Sequence, residues 1–404
     1  MKVILAGETY SSNLGDPIIA DCLEYIIKSL NPSCRISKID ISGRNSISNN
    51  NSFNNANSFK VNITNKLNSN ISKQILNIIT WILRKNQKLK VKWANDLHGA
   101  SLLIIGGGNL IMDNALYFPL RINLLAKCAR REKVPYAFHA CGVSNNLTSI
   151  GKKLYARNIE LAQKVSVRDV KSKNRLIDIS KEFKSSFVTF DPGLMAAECY
   201  SIDVTRISNR NTIGLGVAAP KVLSTHSYNK LNYSYESLKN FWVKIATELN
   251  ERNIPFQFFT NGSSLDQKFA EDIAYEVKRN FKMDCLPLVE RNTNPEELVK
   301  TISEFRSIIA HRLHACIVAT SLRVPVVGLS WDDKMNSFFV SLDREVNCID
   351  EKYTLNTDLV LDTLWKVETS DLLENSLSKL NDAKQVIIDD VKFLLESNNI
   401  GIQI

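Results

Sequence analysis

Short apolar runs alternating with helix-patterned segments constrain this chain more than any other feature. Lys2 to Ala6, Ser101 to Ile105, Pro135 to Gly142, Lys164 to Asp169 and Val188 to Phe190 read as strands in the first half. Helical spacing separates them: Ile18, Ile19, Cys22, Leu23, Ile26, Ile27 and Leu30, then about Tyr117 to Glu132, then about Lys152 to Ala162. The pattern restarts at Thr212 to Ala218. It continues as helix (Tyr235 to Arg252), strand (Pro255 to Thr260), helix (Asp266 to Phe281), short strand (Cys285 to Leu288) and helix (Pro295 to Ile302). Strand Ser307 to Ala310, helix His311 to Leu322 and strand Val324 to Leu329 close the series. Alternation of this kind builds parallel sheets with crossover helices, so the fold class is α/β with two Rossmann-like, doubly wound parallel-sheet domains. A chain of 404 residues is also too long for one ordinary core. The polar stretch Ser201 to Asn211 sets the boundary, giving domains over 1–205 and 206–370. The remaining 371–404 carries a long amphipathic helix, about Asp371 to Leu395, expected to pack back on the first domain.

The loops at the ends of the strands hold the chemistry. Ile308-Ile309-Ala310 stops at His311-Arg312-Leu313-His314, where a helix begins. A helix start offers free N–H groups and the positive end of the dipole, and Arg adds a planar fork suited to phosphate or carboxylate. The cluster therefore reads as an anion site with a titratable base beside it. After the first strand, Asn13-Leu14-Gly15-Asp16-Pro17 places Asp16 at the N-cap and Pro17 at the first helical position. Gly106-Gly107-Gly108-Asn109 follows the Ser101 to Ile105 strand; it is either a backbone cradle for a ligand or a tight turn without one. Its spacing is neither a dinucleotide fingerprint nor a P-loop. Arg168 and Asp191 end neighbouring strands, facing the crevice of an open sheet; Arg168 reads as a ligand group or as the ion-pair partner of Asp169 or Asp191. The other residues have plain rivals too: His314 as a satisfied core histidine, His311 as a packing or capping residue, Lys334 as a solvated lysine, His139 as structural.

Composition narrows the class. Hydrophobic residues make up 44% and charged residues 23%, which is globular, with net charge +9. Much of the local excess is Arg84, Lys85, Lys88, Lys90 and Lys92, flanked only by Trp81 and Trp93, on a helix expected over about Lys73 to Lys92. Nucleic-acid binding would want stacking aromatics interleaved in that run, and is not expected. The run reads as a solvated face or as a peripheral contact for an inner membrane surface or an acceptor. From Arg44 to Ser72, eleven Asn and six Ser in twenty-nine residues leave too little apolar surface to offset ordering, so this stretch is expected to be a mobile insertion. Eight scattered cysteines have no CxxC or finger spacing and read as reduced core residues. No metal ligand set is present. The first residues are apolar too briefly for a signal peptide and no run suits a membrane span, so a cytoplasmic protein is expected.

Taken in order, Asn13-Leu14-Gly15-Asp16, Gly106-Gly107-Gly108, Ser166-Val167-Arg168-Asp169, Asp191-Pro192, Ala310-His311-Arg312-Leu313-His314-Ala315 and the run from Val324-Pro325 to Lys334 resemble the polysaccharide pyruvyl transferase family. The resemblance covers about residues 1 to 340. It implies two Rossmann-like domains facing a cleft, GT-B-like, and transfer of a pyruvyl group from phosphoenolpyruvate to two sugar hydroxyls. The product would be a ketal on a cell-surface polysaccharide or its lipid-linked precursor, with no cofactor beyond the donor substrate. The same resemblance associates the Arg312-Leu313-His314 piece with the phosphoenolpyruvate site, with Arg168 as the candidate for an arginine from the first domain. The chemistry of the transfer then suits His314 and Asp16 as the catalytic pair and Lys334 as a phosphate contact, with Asn13, Gly15, Gly107, Gly108, Asn109 and His311 in the cleft loops. Domain closure would then exclude water. A GT-B-type glycosyltransferase using a nucleotide-sugar and a non-catalytic glycan-binding relative are the alternatives.

Overall fold

The computed structural model describes residues 1–47, 78, 81, 86–205, 210–226 and 233–401. The Asn-rich insertion from residue 48 onward, and Arg84 and Lys85 of the basic run, lie outside them.

Val3 to Ala6 are at most 2% exposed, as a strand covered by helices on both faces must be. This strand, β1 (Lys2–Gly7), leads into α1 (Gly15–Leu30) and β2 (Arg35–Asp40). After α2 (Asn86–Leu97) come β3 (Leu102–Gly106), α3 (Tyr117–Arg131), β4 (Tyr136–Cys141) and α4 (Ser149–Glu160). Strand β5 (Val165–Val167), α5 (Val170–Ile177) and β6 (Phe187–Val188) complete the first sheet. Its order is β2-β1-β3-β4-β5-β6, every pair parallel, with Lys2 opposite Arg35 and Val3 opposite Leu102. Strand β2, Arg-Ile-Ser-Lys-Ile-Asp, is absent from the sequence reading because an edge strand half open to solvent needs no apolar run. In its described part the basic helix, α2, continues past Lys92 to Leu97, burying Trp93 and Leu97.

The second sheet follows the same logic. Strand β7 (Ile213–Gly216) leads to α6 (Pro220–His226), α7 (Tyr235–Glu251), β8 (Phe256–Phe259), α8 (Ser264–Phe281) and α9 (Pro295–Ser303). Then come β9 (Ser307–Ala310), α10 (Leu313–Ser321), β10 (Val326–Leu329), α11 (Asp333–Ser341), β11 (Cys348–Ile349) and α12 (Thr357–Ser370). The order is β11-β10-β9-β7-β8, again all parallel. The strand expected over Cys285 to Leu288 reduces to one isolated bridge between Phe258 and Leu288. In each sheet the winding reverses once, between β1 and β3 and between β7 and β9. Ligands of doubly wound sheets collect at the carboxyl ends of the strands flanking such a reversal.

The chain divides into two compact units. One comprises Met1–Ser11, Ile19–Asp191 and Val386–Ile404; the other comprises Ser12–Ile18 and Pro192–Gln385. The last helix, α13 (Glu374–Glu396), therefore contributes its half from Val386 onward to the first unit. There Asp390 is buried, accepting from Ser166 Oγ (2.6 Å) and pairing with His139 Nδ1 (2.7 Å) and Lys164 Nζ.

All eight cysteines are free. Five are buried and two intermediate, while Cys285 is exposed rather than in the core.

Candidate anion site at the carboxyl edge of the second sheet

Strand β9 delivers its chain to the edge at Ala310, and helix α10 starts three residues later at Leu313. Arg312 is the N-cap, extended (φ −89°, ψ 121°), and its side chain does not cap. Helix N–H groups at such a start remain available to an anion. The guanidinium turns instead to Asp266, donating from Nε (2.9 Å) and Nη2 (2.5 Å) to the same carboxylate oxygen, Oδ2. The other oxygen, Oδ1, accepts the Ala219 N–H at 2.8 Å, in the loop that follows β7. Asp266 is wholly buried, whereas 15% of the Arg312 side chain is exposed.

His314 lies in the first turn of α10, next to the segment Ser12–Ile18. Its Nδ1 is 3.9 Å from Asp16 Oδ1, and its Nε2 is buried with no hydrogen-bond partner among the described residues. The close approach depends on Gly15, where a Cβ would fall 2.2 Å from His314 Cβ and 2.5 Å from Nδ1. Leu14 fixes this segment through its N–H to Asn261 C=O (2.9 Å), beside Gly262, whose φ of +89° suits only glycine readily. Asp16 departs from the sequence expectation. The Ile18 N–H bonds Leu14 C=O at 3.3 Å, so the helix begins before Asp16 and the carboxylate is not its N-cap. Asp16 sits in the first turn instead, accepting from Asn13 Nδ2 at 3.2 Å and facing His314.

His311 is different in kind. It is wholly buried, its ring meets Trp242 edge-on at 5.4 Å, and its C=O accepts the Trp331 indole N–H at 2.6 Å. Burial, followed by the charge of Arg312, pushes its pKa down to about 3. A neutral core ring, not a loop contact, is what the fold makes of it. Leu313 opens α10 at intermediate exposure. Lys334 pairs with Asp332 (3.0 Å), whose carboxylate also caps α11 by accepting the Lys334 N–H.

The first unit gathers a separate group at its own carboxyl edge. Arg168 is buried, 3.2 Å from Asp191 through Nη1, with Nε 3.8 Å from Asp169, as the ion-pair alternative expects. A Cβ on Gly142 would come within 3.0 Å of the Arg168 guanidinium and 2.8 Å of Asn109 Oδ1, so these two side chains meet around that glycine. Asn109 also donates to Ser144 (2.9 Å). Gly107 and Gly108 have positive φ, +73° and +69°. The Gly107 N–H is committed to His139 C=O (2.9 Å) and the Gly108 C=O accepts the Gly142 N–H (2.8 Å), which favours the tight-turn reading.

Asp266 and Asn261 carry no signal in the sequence reading. Asp266 reads there as an ordinary acidic helix start, and Asn261 as loop; yet Asn261 Nδ2 is buried without a partner among the described residues. Among the described residues no group of three or more His, Cys, Asp or Glu is placed to hold a metal ion, and no helix is long and apolar enough to cross a membrane.

Two doubly wound, parallel-sheet α/β units, one of them with an arginine fork and a histidine at a strand-to-helix junction, define a Rossmann-like α/β protein. The chain belongs to the polysaccharide pyruvyl transferase family, whose family model matches residues 13–333. No curated protein matches it. Among solved structures it is similar to UDP-GlcNAc 2-epimerase from Methanocaldococcus jannaschii, with TM-score 0.59 and 11% identity over 98% of this chain and 100% of that one. UDP-N-acetylglucosamine 2-epimerase from Rickettsia bellii matches with TM-score 0.57 and 11% identity over 99% and 97%. The Neisseria meningitidis UDP-GlcNAc 2-epimerase, bound to UDP-GlcNAc, matches with TM-score 0.54 and 14% identity over 97% and 100%. At such identities the likeness speaks for the fold alone.

Proposed function

We propose that this protein transfers a pyruvyl group from phosphoenolpyruvate to two hydroxyls of a sugar, forming a ketal on a cell-surface polysaccharide or its lipid-linked precursor. The observation that carries the reading is the buried, unpartnered Nε2 of His314 beside an uncapped helix start with an arginine at its N-cap. Arg312 and the first-turn N–H groups of α10 hold the donor's anionic groups, with Leu313 at the same helix start. Lys334 and, on its motif alone, Arg168 are proposed as further donor-binding groups, and Asn13, Gly15, Gly107, Gly108 and Asn109 as loop residues around the substrates.

The chemistry balances without a cofactor. A proton is added to the methylene carbon of the enol phosphate, making a methyl group and leaving C2 electron-poor. One sugar oxygen bonds to C2 as its proton passes to His314 Nε2; the C2–O bond to phosphate then breaks, and the second sugar oxygen closes the ring. Of the two hydroxyl protons, one balances the new methyl hydrogen and the other leaves with phosphate. Asp16, 3.9 Å away on the Nδ1 side, offsets the positive charge that the ring acquires when Nε2 takes the proton. A cytoplasmic enzyme with peripheral contact at the inner membrane face is part of this reading.

The test is incubation with phosphoenolpyruvate and a panel of sugar acceptors, following phosphate release and a ketal-sized mass gain. Transfer of sugar from a nucleotide-sugar donor would overturn the proposal.

A further inference from the structure

We infer that Asp266 is a positioning residue: it fixes the direction of the Arg312 fork, and with it the orientation in which a bound oxyanion is held. The inference rests on the anion-site reading above. Three elements converge on one buried carboxylate. Asp266 is the third residue of α8, wholly buried; its Oδ1 is anchored by the Ala219 N–H after β7, and its Oδ2 takes both Nε and Nη2 of Arg312 after β9. Strands β7 and β9 are neighbours in the sheet and flank the winding reversal.

Holding Nε and Nη2 on one oxygen uses one edge of the guanidinium. Nη1 and the second N–H of Nη2 make the other edge, and two parallel donors there match an oxyanion bidentately. Without Asp266 the arginine would keep its charge but lose its direction. An arginine at a solvated surface would instead sample several rotamers and lose that freedom each time it bound. The carboxylate cannot itself touch the ligand, because both oxygens are occupied and none of the residue is exposed. It acts through Arg312.

Asp266→Asn is the informative variant. The amide oxygen still accepts the Ala219 N–H, but the amide nitrogen presents donors to the donors of Arg312. The full-length chain, Asp266→Asn, Arg312→Ala and the double variant are titrated calorimetrically with phosphoenolpyruvate and, separately, with UDP, after melting curves establish folding. Asp266→Asn is expected to weaken phosphoenolpyruvate binding about tenfold to a hundredfold, the range for losing a group that orients a ligand contact. In the Arg312→Ala background the same substitution should change affinity by no more than about twofold, the tolerance of independent sites. An equal loss in both backgrounds, or none in either, overturns the role of Asp266. The coupled loss appearing with UDP while phosphoenolpyruvate fails to bind would sustain Asp266 as the positioning residue and overturn the donor reading. If neither titrant binds the unsubstituted protein, both fall.

Discussion

Two histidines three residues apart are given opposite fates by the turn from β9 into α10. His311 closes the strand and its ring goes into the core beside Trp242; His314, a first-turn residue of the helix, keeps a free Nε2. For His314→Ala we expect turnover to fall at least ~100-fold, the lower range for a lost general base, with phosphoenolpyruvate affinity measured by calorimetry nearly unchanged. A similar loss of affinity would make His314 a binding group. For His311 the prediction concerns stability. Its folded pKa, about 3, lies below the unfolded value of ~6.5, so the unfolded chain binds the extra proton. Its contribution is therefore whole above about pH 6.5 and is lost as pH falls toward 3, amounting to about 2 kcal/mol between pH 7 and 5. His311→Phe, which keeps an aromatic edge on Trp242, should flatten that part of the stability profile in denaturant titrations. An unchanged slope would show that His311 is not its source. The sequence made the His-Arg-Leu-His cluster legible as a site, but not this division of labour, because which ring turns inward depends on Trp242, far away in the chain. Asp266 was hidden for the same reason, since its partner Arg312 comes from another strand's loop.

At the scale of elements, strands with an apolar run were readable, the edge strands β6 and β8 among them, and the edge strands β2 and β11 were not. Strand β2 carries Arg35, Lys38 and Asp40, and β11 is only two residues long; neither leaves a pattern of burial on both faces. Most of the helix starts that were expected lie within three residues of those observed. That margin matters at α1, where beginning at Gly15 instead of after Asp16 takes the carboxylate from a capping role and turns it toward His314. Gly15 is the hinge of this arrangement, since any Cβ there meets the backbone side of the His314 ring and not the end of a flexible chain. Gly15→Ala should therefore displace His314 and cut turnover by about a hundredfold, the scale expected from a misplacement of about 1 Å. Its melting temperature is expected to fall as well, because a Cβ 2.2 Å from His314 Cβ is not relieved by moving the end of a flexible chain. Retained activity would mean that the His314 ring shifts freely, and that its contact with Asp16 is not needed.

The whole molecule is assembled from segments that do not follow one another: the first unit takes Val386–Ile404 from the far end of the chain. Periodicity revealed the last helix, whereas nothing in a run of helical spacing says what a buried acid along it will meet. Asp390 meets His139 Nδ1, Lys164 Nζ and Ser166 Oγ in the first unit, and its side chain is fully buried. Burial alone would raise its carboxyl pKa. The hydrogen bond and charge of His139, with Lys164 and Ser166, outweigh burial and hold the group below the usual carboxylate range. A depressed carboxyl contributes stability that is complete above its unfolded pKa of about 3.9 and is lost as pH falls through the folded value. That window meets the His311 effect only below about pH 3.9, so the slope above it reports His311 alone and the Asp390 loss adds beneath it. Asp390→Ala would leave buried cationic and polar partners without an acceptor, at a cost of about 3–5 kcal/mol. Asp390→Asn keeps hydrogen-bonding capacity and should cost less, while also removing the loss below about pH 4. Hydrogen exchange would locate the damage: opening confined to β4, β5 and α13 from Val386 onward is expected if the helix end is integral to the first sheet. Unchanged protection there in Asp390→Ala would show instead that this stretch of α13 is held by its apolar face, with Val391, Leu394 and Leu395 sufficient without the carboxylate.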